Sequence, residues 1–121
     1  MRGAGVLIII GLAALAGPAA AQERPPADRQ SLIELAQVLG ESHAIRRACV
    51  SEDNFDWYNR MEQLLAVEAP DQGFKTRLVL AFNTGYAAGK SGFAACDQRS
   101  RAEALRLARR GQALAKALTG P

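Results

Sequence analysis

The sequence predicts an all-α protein, a four-helix up-down-up-down bundle with one disulfide. Three observations carry this. Apolar residues recur at three- and four-residue steps in four blocks, while no run alternates with period two and no Asn-Gly hairpin signal occurs. The blocks are joined by short connections, which favour antiparallel neighbours. The only two cysteines, Cys49 and Cys96, close the first and third blocks. In an up-down-up-down bundle the first and third helices finish at the same end, so the cysteine positions test that topology independently of the periodicity.

The N-terminal segment stands apart from that fold. Met1-Arg2 is a short positive region, Val6 to Ala16 is apolar apart from Gly11, and Gly17-Pro18 interrupts any helix. Ala19-Ala20-Ala21 supplies the small residues that signal peptidase requires, so residues 1–21 read as a secretory signal peptide cut between Ala21 and Gln22. The alternative is an uncleaved anchor, but the run is shorter than the roughly 20 apolar residues a bilayer core demands. No cysteine lies near the cut for lipid attachment, and no second apolar run follows. The expectation is a periplasmic protein, exported by the general secretory route, with no stable membrane insertion after cleavage.

The remaining chain is a single domain's length. Gln22 to Asp28, with Pro25-Pro26, reads as a flexible leader, and residues 29–121 as the helical domain. The first helix is expected from about Arg29 to Cys49, where Leu32, Leu35, Ala36, Leu39, His43, Arg46 and Cys49 hold the helical period. Gly40 interrupts it, at about 1 kcal/mol relative to alanine, and a close helix crossing would explain a glycine there. Ser51 to Asn54 is a capping cluster, with Asp53 or Asn54 as N-cap of a second helix that runs to about Glu68 on the stripe Trp57, Met61, Leu64, Leu65. Ala69-Pro70-Asp71 ends it, because a residue before proline resists the α conformation. The third helix is expected from Gln72 towards Ala95, its apolar stripe carrying Gly85 and Gly89. Asp97 caps the fourth, which reaches about Leu118 on a narrow seam through Leu107, Gly111 and Leu114.

Charge excludes little. The chain has 15 Lys+Arg against 12 Asp+Glu, and loss of Arg2 with the leader leaves a net charge of +2. So small an excess does not imply nucleic acid, and the late basic run from Arg99 to Lys116 reads as a solvated helix face. In an exported chain two cysteines are most simply one disulfide. They are 47 positions apart, and closing such a loop contributes about 4 kcal/mol in the chain-entropy view. A free redox pair is the alternative, without the usual C-x-x-C spacing.

One resemblance covers nearly all of this domain. The run Leu39-Gly40, His43, Arg46, Cys49, then Trp57 and Met61, then Phe82-Asn83 and Gly85-Tyr86, and finally Cys96 resembles a small uncharacterised family of exported alphaproteobacterial proteins. The stretch from Ala87 to Ala95 is richer in glycine than that pattern, which leaves the continuity of the third helix open. The resemblance implies export and the disulfide. It brings no activity with it.

Candidate site residues are few. His43 is the only histidine; a lone histidine on an apolar stripe is a core residue unless a partner completes it. Arg46 follows at helical spacing, and Asn83 with Tyr86 share a face of the third helix, so the four together form a candidate pocket for a small anion. The competing reading is a set of interhelical hydrogen bonds. Asp53 and Asp56 sit where capping accounts for them. Ser51 and Ser91 lack a nucleophile-elbow frame, no metal set is complete, and no cofactor is expected. The reading is therefore a non-enzymatic envelope interaction or structural protein with an envelope protein as partner, the alternative being a small-anion binder or minor enzyme built on His43, Arg46, Asn83 and Tyr86.

Overall fold

The computed structural model describes residues 24–120, so the expected signal peptide, its cut after Ala21 and the residue Gln22 lie outside the described residues. Four helices follow one another: α1 (Pro26–Cys49), α2 (Asp56–Glu68), α3 (Gln72–Gly92) and α4 (Gln98–Leu118). No strand occurs among the described residues. The all-α bundle expected from the periodicity is the observed architecture.

The boundaries differ from the expected ones in instructive places. α1 starts at Pro26, inside the segment expected as a flexible leader, with that proline in the first turn. Proline has no N–H to leave unpaired there and its φ is preset for a helix. Asp28 adds a carboxylate to the same turn, favoured by the helix dipole. Phe55, not Asp53 or Asn54, stands at the N-cap position of α2 and makes no side-chain cap bond. The polar cluster folds the connection instead: Asp53 N–H donates to Ser51 Oγ, and Asp56 N–H donates to Asn54 Oδ1. At the far end of α2, Ala69 turns into the left-handed region at φ 44°, which lets the chain stop ahead of Pro70. Asp71 then caps α3, accepting from Phe74 N–H at 2.8 Å. α3 is continuous through Gly85 and Gly89 but ends at Gly92, short of Ala95. Asp97 caps α4 as expected, in a reciprocal box with Ser100.

The arrangement is centred on α1. Its backbone packs most extensively on α3, then on α4 and α2, while α2, α3 and α4 make few backbone contacts with each other. Residues 42 to 45 are consecutively buried, so α1 is enclosed on every side at that level. α1 and α3 run parallel and approach closest at glycines. A Cβ on Gly40 would lie 1.9 Å from the Phe82 carbonyl oxygen, and one on Gly85 would lie 2.0 Å from that of Gln37. Small residues repeat every four positions along both partners, Ala36, Gly40 and Ala44 against Ala81, Gly85 and Gly89, and all six are buried. Small side chains at this spacing let two helix backbones touch. The seam ends at the Cys49–Cys96 disulfide, with Cα atoms 4.8 Å apart. Around it lies the main core, chiefly Leu32, Leu35, Leu39, Met61, Phe74, Leu78, Phe82 and Leu114.

Arg24 ties the other end together. Its guanidinium donates to both carboxylate oxygens of Glu68 at 2.8 Å and to the Leu118 carbonyl at 3.2 Å. One side chain thus joins the start of α1 to the ends of α2 and α4.

Candidate functional site

α1 carries His43 into the space between α2 and α3, where it is 4% exposed. Four rings surround the imidazole: Tyr86 at 5.3 Å, Phe55 and Phe82 at 5.8 Å, and Tyr58 at 6.0 Å between centroids. Helical spacing supplies the cage, since Phe82 and Tyr86 are one turn apart on α3 and Phe55 and Tyr58 bracket the first turn of α2. Burial, and then the positive charge of Arg47, hold the His43 pKa below its ordinary value. The imidazole is thereby kept neutral, and its Nδ1 has no hydrogen-bond partner among the described residues. Arg47 closes the cage, donating to the Tyr86 hydroxyl at 2.7 Å and to the Glu52 carbonyl at 2.9 Å.

Of the four residues expected to share a pocket, the fold brings His43 and Tyr86 together and leaves the other two elsewhere. Asn83 is exposed on α3. Arg46 lies in a groove on the α2–α4 side of α1, beside Ser42, Cys49, Trp57 and Arg101. Helix geometry explains the split. At about 100° per residue, positions i+3 and i+4 fall roughly 60° and 40° to opposite sides of residue i. α3 lies on the side of Arg47 and α4 on the side of Arg46. Spacing alone makes either arginine a neighbour of His43, and only the placement of α3 chooses between them.

The groove that receives Arg46 runs into a larger one. α2 and α4 stand apart over α1 and leave an apolar trough of about 420 Å³ between them, with Leu35, Val38 and Leu39 from α1, Trp57, Leu64 and Val67 from α2, and Leu107, Ala108 and Gly111 from α4. It continues past Trp57 and Ala108 into a second hollow of about 340 Å³ over Ile45, Cys49 and Leu105. Val67 and Leu105 are 67% and 54% exposed, a large apolar exposure for a small domain. Among the described residues no acidic side chain lines either hollow, whereas Arg60 lines the first and Arg46 and Arg101 the second; Asp56 lines the adjoining hollow with Arg46 and Arg60. The Arg60 guanidinium stacks 4.6 Å above the Trp57 ring. The narrow apolar seam of α4 was the one signal of this trough in the sequence, because a helix with so little to bury leaves part of its neighbours uncovered.

Catalytic constellations do not assemble from the other candidates. Ser51 Oγ accepts from Asp53 N–H, and Ser91 Oγ donates to the Ala88 carbonyl. No group of three or more His, Cys, Asp or Glu side chains with metal-site geometry occurs among the described residues. Glu41, on α1, has its carboxyl pKa raised by burial and then by the charge of Glu103 on α4, with Arg106 opposing. That pair was not legible in sequence. Among the described residues no helix is long and apolar enough to cross a membrane.

Neither the curated proteins nor the solved structures contain a match to this chain. A family model does match, over residues 26–120, the whole of the four-helix unit from the first residue of α1 to beyond the end of α4. The chain belongs to the family described as a protein of unknown function, DUF2385.

Proposed function

We propose that this protein is an exported, disulfide-stapled interaction module of the cell envelope rather than an enzyme. The observation that carries the reading is the open trough between α2 and α4, apolar along its floor and bordered by the exposed side chains of Val67 and Leu105. An exposed apolar concavity of this kind in a small soluble domain marks a contact surface. The one histidine is caged in aromatic rings, away from Arg46 and Asn83, so the small-anion or enzymatic alternative lacks a common pocket. Export is supported by the leader sequence, with Ala19-Ala20-Ala21 behind the Val6–Ala16 run, and by the bridged cysteines, since disulfides persist in oxidising compartments.

Site-specific photo-crosslinking in the native host tests this. A photoreactive phenylalanine analogue at Val67 or Leu105 should give discrete protein adducts, and the same analogue at Leu80 on the outer face of α3 should not. Adducts at Leu80 alone, or at no position, would remove the groove as the contact surface. N-terminal sequencing of the protein recovered from that host should begin at Gln22; a chain that retains Met1 would remove the export half of the reading.

A further inference from the structure

We infer that the α2–α4 groove takes an amphipathic helix whose polar flanks are acidic; this rests on the groove being the contact surface. The shape argues for a helix. The floor follows α1 from Leu35 to Cys49, about 20 Å at a rise of ~1.5 Å per residue, which matches four turns of a partner. Its walls are two helices that make few backbone contacts with each other, so the trough is the vacant position of a packed helix. Helix-in-groove recognition uses such a surface, with apolar anchors of the partner at three- and four-residue steps. A partner added as a β-strand would need a sheet edge, and no strand occurs among the described residues.

Charge selects the partner. Arg60, Arg46 and Arg101 are the charged side chains lining the two hollows. Complementary potentials steer association and reject wrong partners, and these three reject a basic helix. A second copy of this chain fails the same test. α3 carries Lys75, Arg77 and Lys90 and no acidic residue, and α4 carries six basic residues and the single acid Glu103. Neither α3 nor α4 can offer the groove an acidic face, and α2, the one peripheral helix with exposed acids (Asp56 and Glu62), is already a wall of the groove.

Trp57 is the only tryptophan and lines both hollows, so its fluorescence reports occupancy. The probes are three synthetic 18-residue peptides with one common leucine stripe and polar faces of glutamate, glutamine or lysine, added to the disulfide-intact protein. The glutamate peptide should shift the Trp57 emission, gain helical circular dichroism, and bind at least about ten-fold more tightly than the lysine peptide. That margin should shrink as salt rises from ~50 to ~500 mM. Replacing all three groove arginines (Arg46→Glu, Arg60→Glu and Arg101→Glu) should reverse the preference. Placing acids on the same walls by Gln63→Glu and Gln112→Glu should weaken the glutamate peptide without touching an arginine. Equal affinity for the three peptides would overturn the acidic partner and leave the groove standing. Binding of none would overturn the groove itself. A Trp57 shift with anionic lipid vesicles but with no peptide would overturn the helix in favour of a membrane surface.

Discussion

Replacing Gly40 by alanine separates two opposed effects whose sizes are known. In an exposed helix the change stabilises by about 1 kcal/mol, because glycine carries the larger entropic cost. At this position the new methyl would stand 1.9 Å from the Phe82 oxygen and 2.8 Å from its carbonyl carbon. An ordinary contact is above 3.4 Å, so the helices would have to part by more than an ångström. Backbone cannot rotate away as a side-chain tip does, and the α1–α3 seam is held at its end by the disulfide. Overpacking of this kind costs about 1–3 kcal/mol, and parting the helices also loosens Leu32, Leu78 and Phe82, which pack along the same seam. The second effect wins, for a net loss of about 2 kcal/mol, the upper end of that cost less the propensity gain. For a domain of this size that is a drop in Tm of roughly 8–16 °C, read by circular dichroism with the disulfide intact. Two other glycines supply the control. Gly92 has nothing within 4 Å of a Cβ, and Gly111 has only ordinary contacts with Val38 and Leu35. Gly92→Ala and Gly111→Ala should hold or raise Tm. A Gly40→Ala protein as stable as the wild type would refute the close-crossing argument.

The disulfide and the histidine give the remaining expectations. Reducing Cys49–Cys96 should cost about 4 kcal/mol by the loop-closure argument, seen as a lower urea midpoint with a reductant present; an unchanged midpoint would mean that the reduced chain is equally constrained. His43 should make stability depend on pH with a definite sign. Its native pKa is depressed, so the unfolded chain takes up the proton first. Stability is then full above about pH 6.5, the ordinary histidine value. It falls as the pH drops from there towards the lowered native value, by up to about 1.4 kcal/mol per pH unit. Glu41, shifted upward, has the opposite sign, so the measurement is a comparison with His43→Leu. Urea midpoints at pH 7.5 and 5.5 should differ more in the wild type than in that variant, and an equal difference in both would exclude His43 as the source.

Most of the fold was legible because its determinants are local. The four apolar stripes, the cap at Asp97 and the stop before Pro70 each depend on residues within a turn or two of one another. Gly40 was readable as a crossing because a glycine in a helix interior needs a reason. What the sequence could not show was which helix it crosses. In a regular bundle the first and third helices are diagonal, yet here they are the most closely packed pair. The choice depends on Gly85 and Gly89 meeting Gln37, Glu41 and Ala44, contacts more than forty residues apart in the chain. The site was less legible for the same reason. His43 is buried, as its place on the apolar stripe allowed, but its arginine neighbour is Arg47, and Phe55 and Tyr58 reach it from a helix whose angle no local pattern specifies. A groove is harder still, being a place where side chains fail to meet.

Stability and the proposed recognition fall on different surfaces of α1. Its α3-facing side holds the glycine seam and ends in the disulfide, and this parallel pair has the tightest packing in the protein. Its opposite side holds the trough, where Val67 and Leu105 remain exposed and the arginines make few internal bonds. Arg60 rests on Trp57, and Arg101 reaches the Cys96 sulfur only at 3.8 Å. A substitution on the seam therefore registers as unfolding, while a charge change at Arg60 or Arg101 meets mainly solvent and costs at most about 0.5 kcal/mol. The separation matters for interpretation. When a groove variant loses a partner at unchanged Tm, the loss belongs to the surface. A seam variant that loses the partner together with its helical signal says only that α1 supports both faces.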